Sequence, residues 1–231
     1  SVIPPSLEWR DAGEYFETTP PPITWIVEGF VARGAVTLFA GDPGIGKSYV
    51  ALSMASSASC GLPALGMNTK ISEVAYLDAE NGQDEMHRRI CALGLRANAR
   101  VAIAPSGFDI RQSLYQVEDA VAPATTQLLI LDSFRSLFPG VDENDSGEIT
   151  EALLPIQHLA RTFNVGVILL HHRNKGGGIR GSMAFQGVCE AVVHLAADRD
   201  GVLTIAWEKQ RMGGKPKRKR LMLTASGAVE L

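Results

Sequence analysis

Cysteine is scarce in this sequence. Its three residues, Cys60, Cys91 and Cys189, lie far apart and show no C-x-x-C spacing. That argues against a disulfide framework and against a cysteine-based metal site, and leads us to expect small buried hydrophobes in a reducing compartment. Long apolar runs are also missing. None reaches the roughly 18 residues that a membrane-spanning helix needs. The first residues lack a basic start followed by an apolar stretch, so no signal peptide is expected and a cytoplasmic location is. There is no internal repeat and no low-complexity segment. The first residue is not methionine, from which we expect a segment of a longer protein.

What is present is an ordinary globular composition. With 231 residues, 45 % apolar and 20 % charged, the chain can bury the core of one large α/β domain. The net charge of −3 conceals an asymmetry: between Lys209 and Arg220 seven of twelve residues are basic, and the rest is correspondingly acidic. One basic segment on an acidic chain implies a local anion site rather than a surface coated in nucleic acid.

Residues 1–30 are proline-rich, with Pro4, Pro5 and Pro20–Pro22, and carry no sustained periodicity. They are expected to form a lead-in that wraps the core with Trp25 and Phe30 tucked in, ahead of a domain over 31–231. From Val36 short apolar runs alternate with longer amphipathic stretches, the pattern of βαβ units and a mostly parallel sheet flanked by helices. Strands are expected at Val36–Ala40, Glu73–Leu77, Arg100–Ala104, Leu128–Leu131 and Val165–Leu170. Helices are expected at Lys47–Ser59, Gln83–Leu93, about Gln112–Val121 and Gly147–Phe163. The alternating segments Val188–Ala196, Val202–Glu208 and Lys219–Thr224, joined by Asp200-Gly201 and Gly213-Gly214, predict C-terminal antiparallel hairpins.

The segment from Gly41 to Ser48, GDPGIGKS, matches G-x-x-x-x-G-K-[ST] between an apolar strand and a helix. Gly41, Gly44 and Gly46 let the backbone curl so that its N–H groups face phosphate oxygens, and the helix N-terminus adds positive partial charge. Lys47 is expected to neutralise the β- and γ-phosphates of ATP, and the Ser48 hydroxyl to ligate Mg2+. Asp42, Pro43, Ile45 and Tyr49 complete the expected ATP contacts. LLILD, Leu128 to Asp132, is an apolar strand ending in a carboxylate, and Asp132 would meet the magnesium through a water. VAYLDAEN, Val74 to Asn81, ends in two acids; Glu80 is the candidate for polarising an attacking water, and Asp78 for a strand-end cap.

The order of these parts resembles the RecA-like ATPases. VEGFVARGAVTLFAGDPGIGKS, YLDAEN, ILLHHRNK and RGSMAF together resemble the RepA group of hexameric replicative helicases, kin to the DnaB helicases, over roughly residues 25–225. The resemblance implies a homo-oligomer, a hexamer, acting as a ring-shaped helicase or translocase on single-stranded DNA; a RecA-like recombination mediator or assembly factor is the alternative. It implies a γ-phosphate sensor at His172, with His171 one residue away, and a DNA-gripping loop with Arg173, Lys175 and Arg180. It also implies that Lys209 and Arg211 reach the nucleotide of a neighbouring subunit. The N-terminal helical domain of the DnaB helicases has no counterpart in residues 1–30, and no Phe-x-x-Ala motif precedes the core.

Overall fold

The computed structural model describes residues 9–95, 98–123, 125–173 and 182–231. After a short helix α1 (Ala12–Phe16), the hairpin β1 (Trp25–Val27) and β2 (Val31–Ala32) leads into β3 (Val36–Gly41) and α2 (Lys47–Cys60). There follow β4 (Glu73–Asp78), α3 (Gln83–Leu93), β5 (Ala99–Ile103), α4 (Leu114–Val121), β6 (Thr126–Asp132) and α5 (Phe134–Leu137). The chain continues through α6 (Ser146–Thr162), β7 (Gly166–His172), α7 (Ser182–Val188), β8 (Ala191–Ala197), β9 (Leu203–Gln210), β10 (Lys219–Thr224) and β11 (Gly227–Glu230). Nine strands form one sheet in the order β11-β10-β9-β8-β3-β7-β6-β4-β5, parallel from β8 to β5 and antiparallel beyond β8.

Helices cover both faces, so the central strands are apolar on both sides. One core joins Phe39, Tyr76, Ile130, Ile168 and Leu170 to α2, whose small residues Ala51, Ala55 and Ala58 allow close approach. The other joins Leu38, Leu129, Leu131, Val167 and Leu169 to α5, α6 and α7 through Phe134, Ile156 and Phe185. Asp145 caps α6, accepting from Gly147 N at 2.7 Å and Glu148 N at 3.1 Å.

The expected strands and helices are all present, most with shifted ends, and the C-terminal region differs in one respect. Val188 closes a helix, α7, instead of opening a strand, and β8 is parallel to β3, so the antiparallel part begins only with β9. The alternation of Ala191–Ala197 serves a strand that has a parallel and an antiparallel neighbour. Cys189 is buried as expected, whereas Cys60 and Cys91 are exposed, because they lie at the end of α2 and on the outer side of α3.

The lead-in divides in two. Residues 9–24 do not wrap the core: α1 buries no side chain, and Trp9 and Phe16 are 90 % and 92 % exposed. From Ile26 the chain is core, with Phe30 fully buried beside Phe39 and Trp207, while Trp25 is half-buried. The hairpin crosses residue 30 and presses on β7 at Gly166. A Cβ there would lie 2.8 Å from the carbonyl oxygen of Ala32 and 2.6 Å from Ile26 Cδ1. Gly166→Ala should therefore cost about 1–3 kcal/mol in urea denaturation with an unchanged slope, the scale of overpacking. An unchanged midpoint would mean that the hairpin does not bear on the sheet.

Candidate nucleotide site

Parallel pairing in register brings strand ends to one level. Gly41 lies opposite His172, and Asp78 opposite Asp132. The side-chain period of two then sorts the residues. Asp132 and His172 follow Ile130, Ile168 and Leu170 onto the α2 face of the sheet, where Lys47 and Ser48 open that helix. Gly46 has φ 96°, and a Cβ on it would meet Leu223 Cδ1 at 2.7 Å, so β10 covers the loop and the position requires glycine.

Lys47 is almost wholly buried. Its ammonium donates to the carbonyl oxygens of Gly41 and Asp42, each at 2.9 Å, and to His172 Nδ1 at 3.1 Å. Burial lowers its pKa, opposed by the charges of Glu80, Asp132 and Asp42. Because Lys47 can only donate, His172 Nδ1 is the acceptor and Nε2–H donates to Glu80 Oε1 at 2.8 Å. Ser133 Oγ donates to the same oxygen. The His172 bond, with that from Ser133, holds the Glu80 carboxyl below its ordinary pKa against the opposing effect of burial.

Asp132 sits 1 % exposed, hydrogen-bonded to Ser48 and, through Oδ2, to Tyr76 Oη at 2.7 Å. Burial pushes its pKa up to about 6, although both hydroxyls pull the other way. Asp78 caps its own strand end, accepting from the backbone N–H of Glu80 and Asn81 and from the Asn81 amide. His171 points to the opposite face, edge-on to Phe134 and packed against Phe185 at 4.7 Å.

The Tyr49 hydroxyl is engaged by the carbonyls of Thr224 and Ala225, each at 2.8 Å, and so ties α2 to the β10–β11 turn. Lys209 and Arg211 separate. Lys209 donates to Cys189 O at 2.6 Å and to Gln186 O, a cation on the last carbonyls of α7, and it does not project outward. Arg211 is exposed, and its N–H bonds to Glu190 O beside the start of β3. Six residues of β3 put it roughly 17 Å from the phosphate loop at about 3.3 Å per residue. Arg173 lies at the site, with its backbone N–H on Gly41 O at 3.1 Å. Lys175 and Arg180 lie outside the described residues.

Tyr76 and Ser133 are the residues that sequence reasoning passed over. Ser133 directly follows LLILD, and Tyr76 shares a strand face with Asp78, so a hydroxyl there falls diagonally opposite Asp132. The donor set of Ser48 and Asp132 is all oxygen, which suits Mg2+, an ion that takes few protein ligands and completes its shell with water and phosphate. No group of three or more His, Cys, Asp or Glu that would hold a metal unaided occurs among the described residues, and no helix there is long and apolar enough to cross a membrane.

A protein-family model described as an AAA domain matches residues 4–178. The chain belongs to that family. Among curated proteins, this AAA domain is 28 % identical over 193 residues to the DNA repair protein RadA of Mycobacterium tuberculosis, covering 81 % of the chain and 37 % of that protein. To the DNA repair protein RadA of Campylobacter jejuni it is 22 % identical over 219 residues, covering 93 % and 46 %. The chain thus spans less than half the length of these relatives. Among solved structures, a KaiC-like protein of Pyrococcus horikoshii superposes with a TM-score of 0.69 at 16 % identity, covering 89 % of this chain and 93 % of that one. The RadB recombinase gives 0.66 at 17 %, covering 87 % and 92 %. The fold is RecA-like, with a mostly parallel sheet between helices and antiparallel strands at its C-terminal end.

Burial of the Asp132 charge has a measurable cost. With its pKa raised from 3.8 to about 6, ionisation opposes folding, so this group's stabilising effect is complete below about pH 4 and is lost as pH rises to about 6. Asp132→Asn should stabilise the nucleotide-free protein by about 1–3 kcal/mol above pH 6, with no gain near pH 4. Thermal melts across that range check this, and a variant less stable at pH 7 would contradict it.

Proposed function

We propose that this chain hydrolyses ATP with magnesium and does so as one copy of a homo-oligomer working on single-stranded DNA. The cluster of Lys47, His172, Glu80 and Ser133 beside Asp132 carries this reading. On ATP binding, Lys47 would exchange the Gly41 and Asp42 carbonyls for β- and γ-phosphate oxygens. Magnesium on Ser48, and on Asp132 through water, would neutralise phosphate charge. Glu80, ionised and anchored by Oε1, would take a proton from water on Oε2 as the water oxygen bonds the γ-phosphorus and the bond to ADP breaks. His172 loses its Lys47 bond when phosphate replaces it, and Arg173 is the next residue in the chain.

The transition state needs a further cation, and within one copy Arg211 is at the wrong end of β3. Supplied from a neighbour, it completes the site, an arrangement worth roughly 10³–10⁵ in rate in well-studied cases. Motif resemblance favours a ring-shaped helicase. Similarity to proteins named DNA repair protein RadA favours the other reading, a RecA-like ATPase of recombination or repair that does not unwind, and it extends over 81 % of the chain.

The test uses two inactive variants. Lys47→Ala should lose ATP turnover, and Arg211→Ala should bind ATP yet hydrolyse it about 10³-fold more slowly. Mixed, they should regain activity, since an Arg211→Ala copy keeps Lys47 and a Lys47→Ala neighbour supplies Arg211. Single-stranded DNA should raise the wild-type rate in a salt-sensitive way. A fully active Arg211→Ala would remove the shared site, and a rate indifferent to DNA would remove the DNA role.

A further inference from the structure

Tyr76 carries a function that packing alone does not require. Its ring lies in the core under α2, 2 % exposed, among residues a phenylalanine would equally suit. Its hydroxyl reaches up the sheet to Asp132 Oδ2 at 2.7 Å. The register brings the two side chains within reach. Asp78 is opposite Asp132, Tyr76 precedes Asp78 by two residues on the same face, and the diagonal neighbour across a strand pair is within reach of an aromatic side chain.

We propose that Tyr76 is a positioning residue for the cation site: its hydroxyl fixes the Asp132 carboxylate in the orientation that presents the carboxylate to a magnesium ion held by Ser48 and ATP. This inference rests on the ATP reading above. A buried carboxylate with one strong donor on Oδ2 cannot swing about its last bond, and its remaining lone pairs stay directed at the Ser48 side. The phenol is a suitable donor because its one hydrogen is aimed at Asp132 Oδ2 from a ring fixed in the core. Partners of this kind behind a metal ligand typically change metal affinity by about 10- to 100-fold.

The variant is Tyr76→Phe in the full chain, which keeps the ring and removes one oxygen. Mn2+ binding is followed by electron paramagnetic resonance with a non-hydrolysable ATP analogue present. Nucleotide binding in EDTA and ATP turnover against Mg2+ concentration are measured alongside. We expect Mn2+ affinity to fall about tenfold and the half-saturating Mg2+ to rise by the same factor. Metal-free nucleotide binding should be unchanged, and kcat at saturating Mg2+ should return to within about twofold of wild type. Unchanged Mn2+ affinity would overturn the proposal and leave Tyr76 a core residue, whatever the melting temperature does. Wild-type protein that binds neither the analogue nor Mn2+ in its presence would overturn the nucleotide-site reading itself, an outcome distinct from a Tyr76→Phe variant matching a competent wild type.

Discussion

Parallel hydrogen bonding holds Gly41 opposite His172 and Asp78 opposite Asp132, and nearly everything at the site follows from that register. Strands that start at different points in the chain end at one height, with Asp78, Asp132 and His172 the last residues of β4, β6 and β7. A slip of one residue in β7 would exchange His172 for His171 and place an apolar-packed ring over the phosphate loop. The two hydrophobic cores enforce the register from either side: Ile168 and Leu170 are committed to α2, Val167 and Leu169 to α5–α7. Packing that looks purely structural therefore sets the geometry of the charged groups.

Those charged groups conflict with stability. Lys47 and Asp132 are buried, each with its charged form disfavoured by burial, and for Lys47 the charges of Glu80, Asp132 and Asp42 offset that only in part. Carbonyls, hydroxyls and one imidazole stand in for the ligand instead. His172 is the pivot, since it accepts from Lys47 and donates to Glu80 through its two ring nitrogens. A ligand that drew Lys47 away would remove the donor at His172 Nδ1, one ring away from Glu80. Sites of this kind trade stability for a poised arrangement of donors and charges.

Much of this was legible in the residues, because local patterns report local structure. The apolar runs around Val36, Glu73, Leu128 and Val165 placed the parallel strands, and GDPGIGKS placed the loop between β3 and α2. The choice of His172 over His171 was also available, in the alternation of Ile168, Leu170 and His172, though motif matching alone left it open. The Tyr76–Asp132 bond and the Ser133–Glu80 bond were not, since each joins residues more than fifty positions apart and exists only once the strands pair. The setting of Lys209 was hidden for the same reason: the carbonyls of Gln186 and Cys189 that hold it are brought near by β8 and β9, and of α7 only Val188 was expected to be structured, as the start of a strand. The cover over Gly46 comes from Leu223, far along the chain, where hydrophobic alternation shows a strand but not its neighbour.

The account turns on one carboxylate. Glu80→Gln keeps the shape of the side chain and removes its ability to take a proton, while Lys47, Ser48 and Asp132 stay in place. Single-turnover hydrolysis of pre-bound ATP, measured beside equilibrium ATP binding, isolates that step. ATP affinity within a fewfold of wild type and hydrolysis slowed by at least about a hundredfold is the predicted result. A Glu80→Gln protein that hydrolyses bound ATP at the wild-type rate would contradict the account.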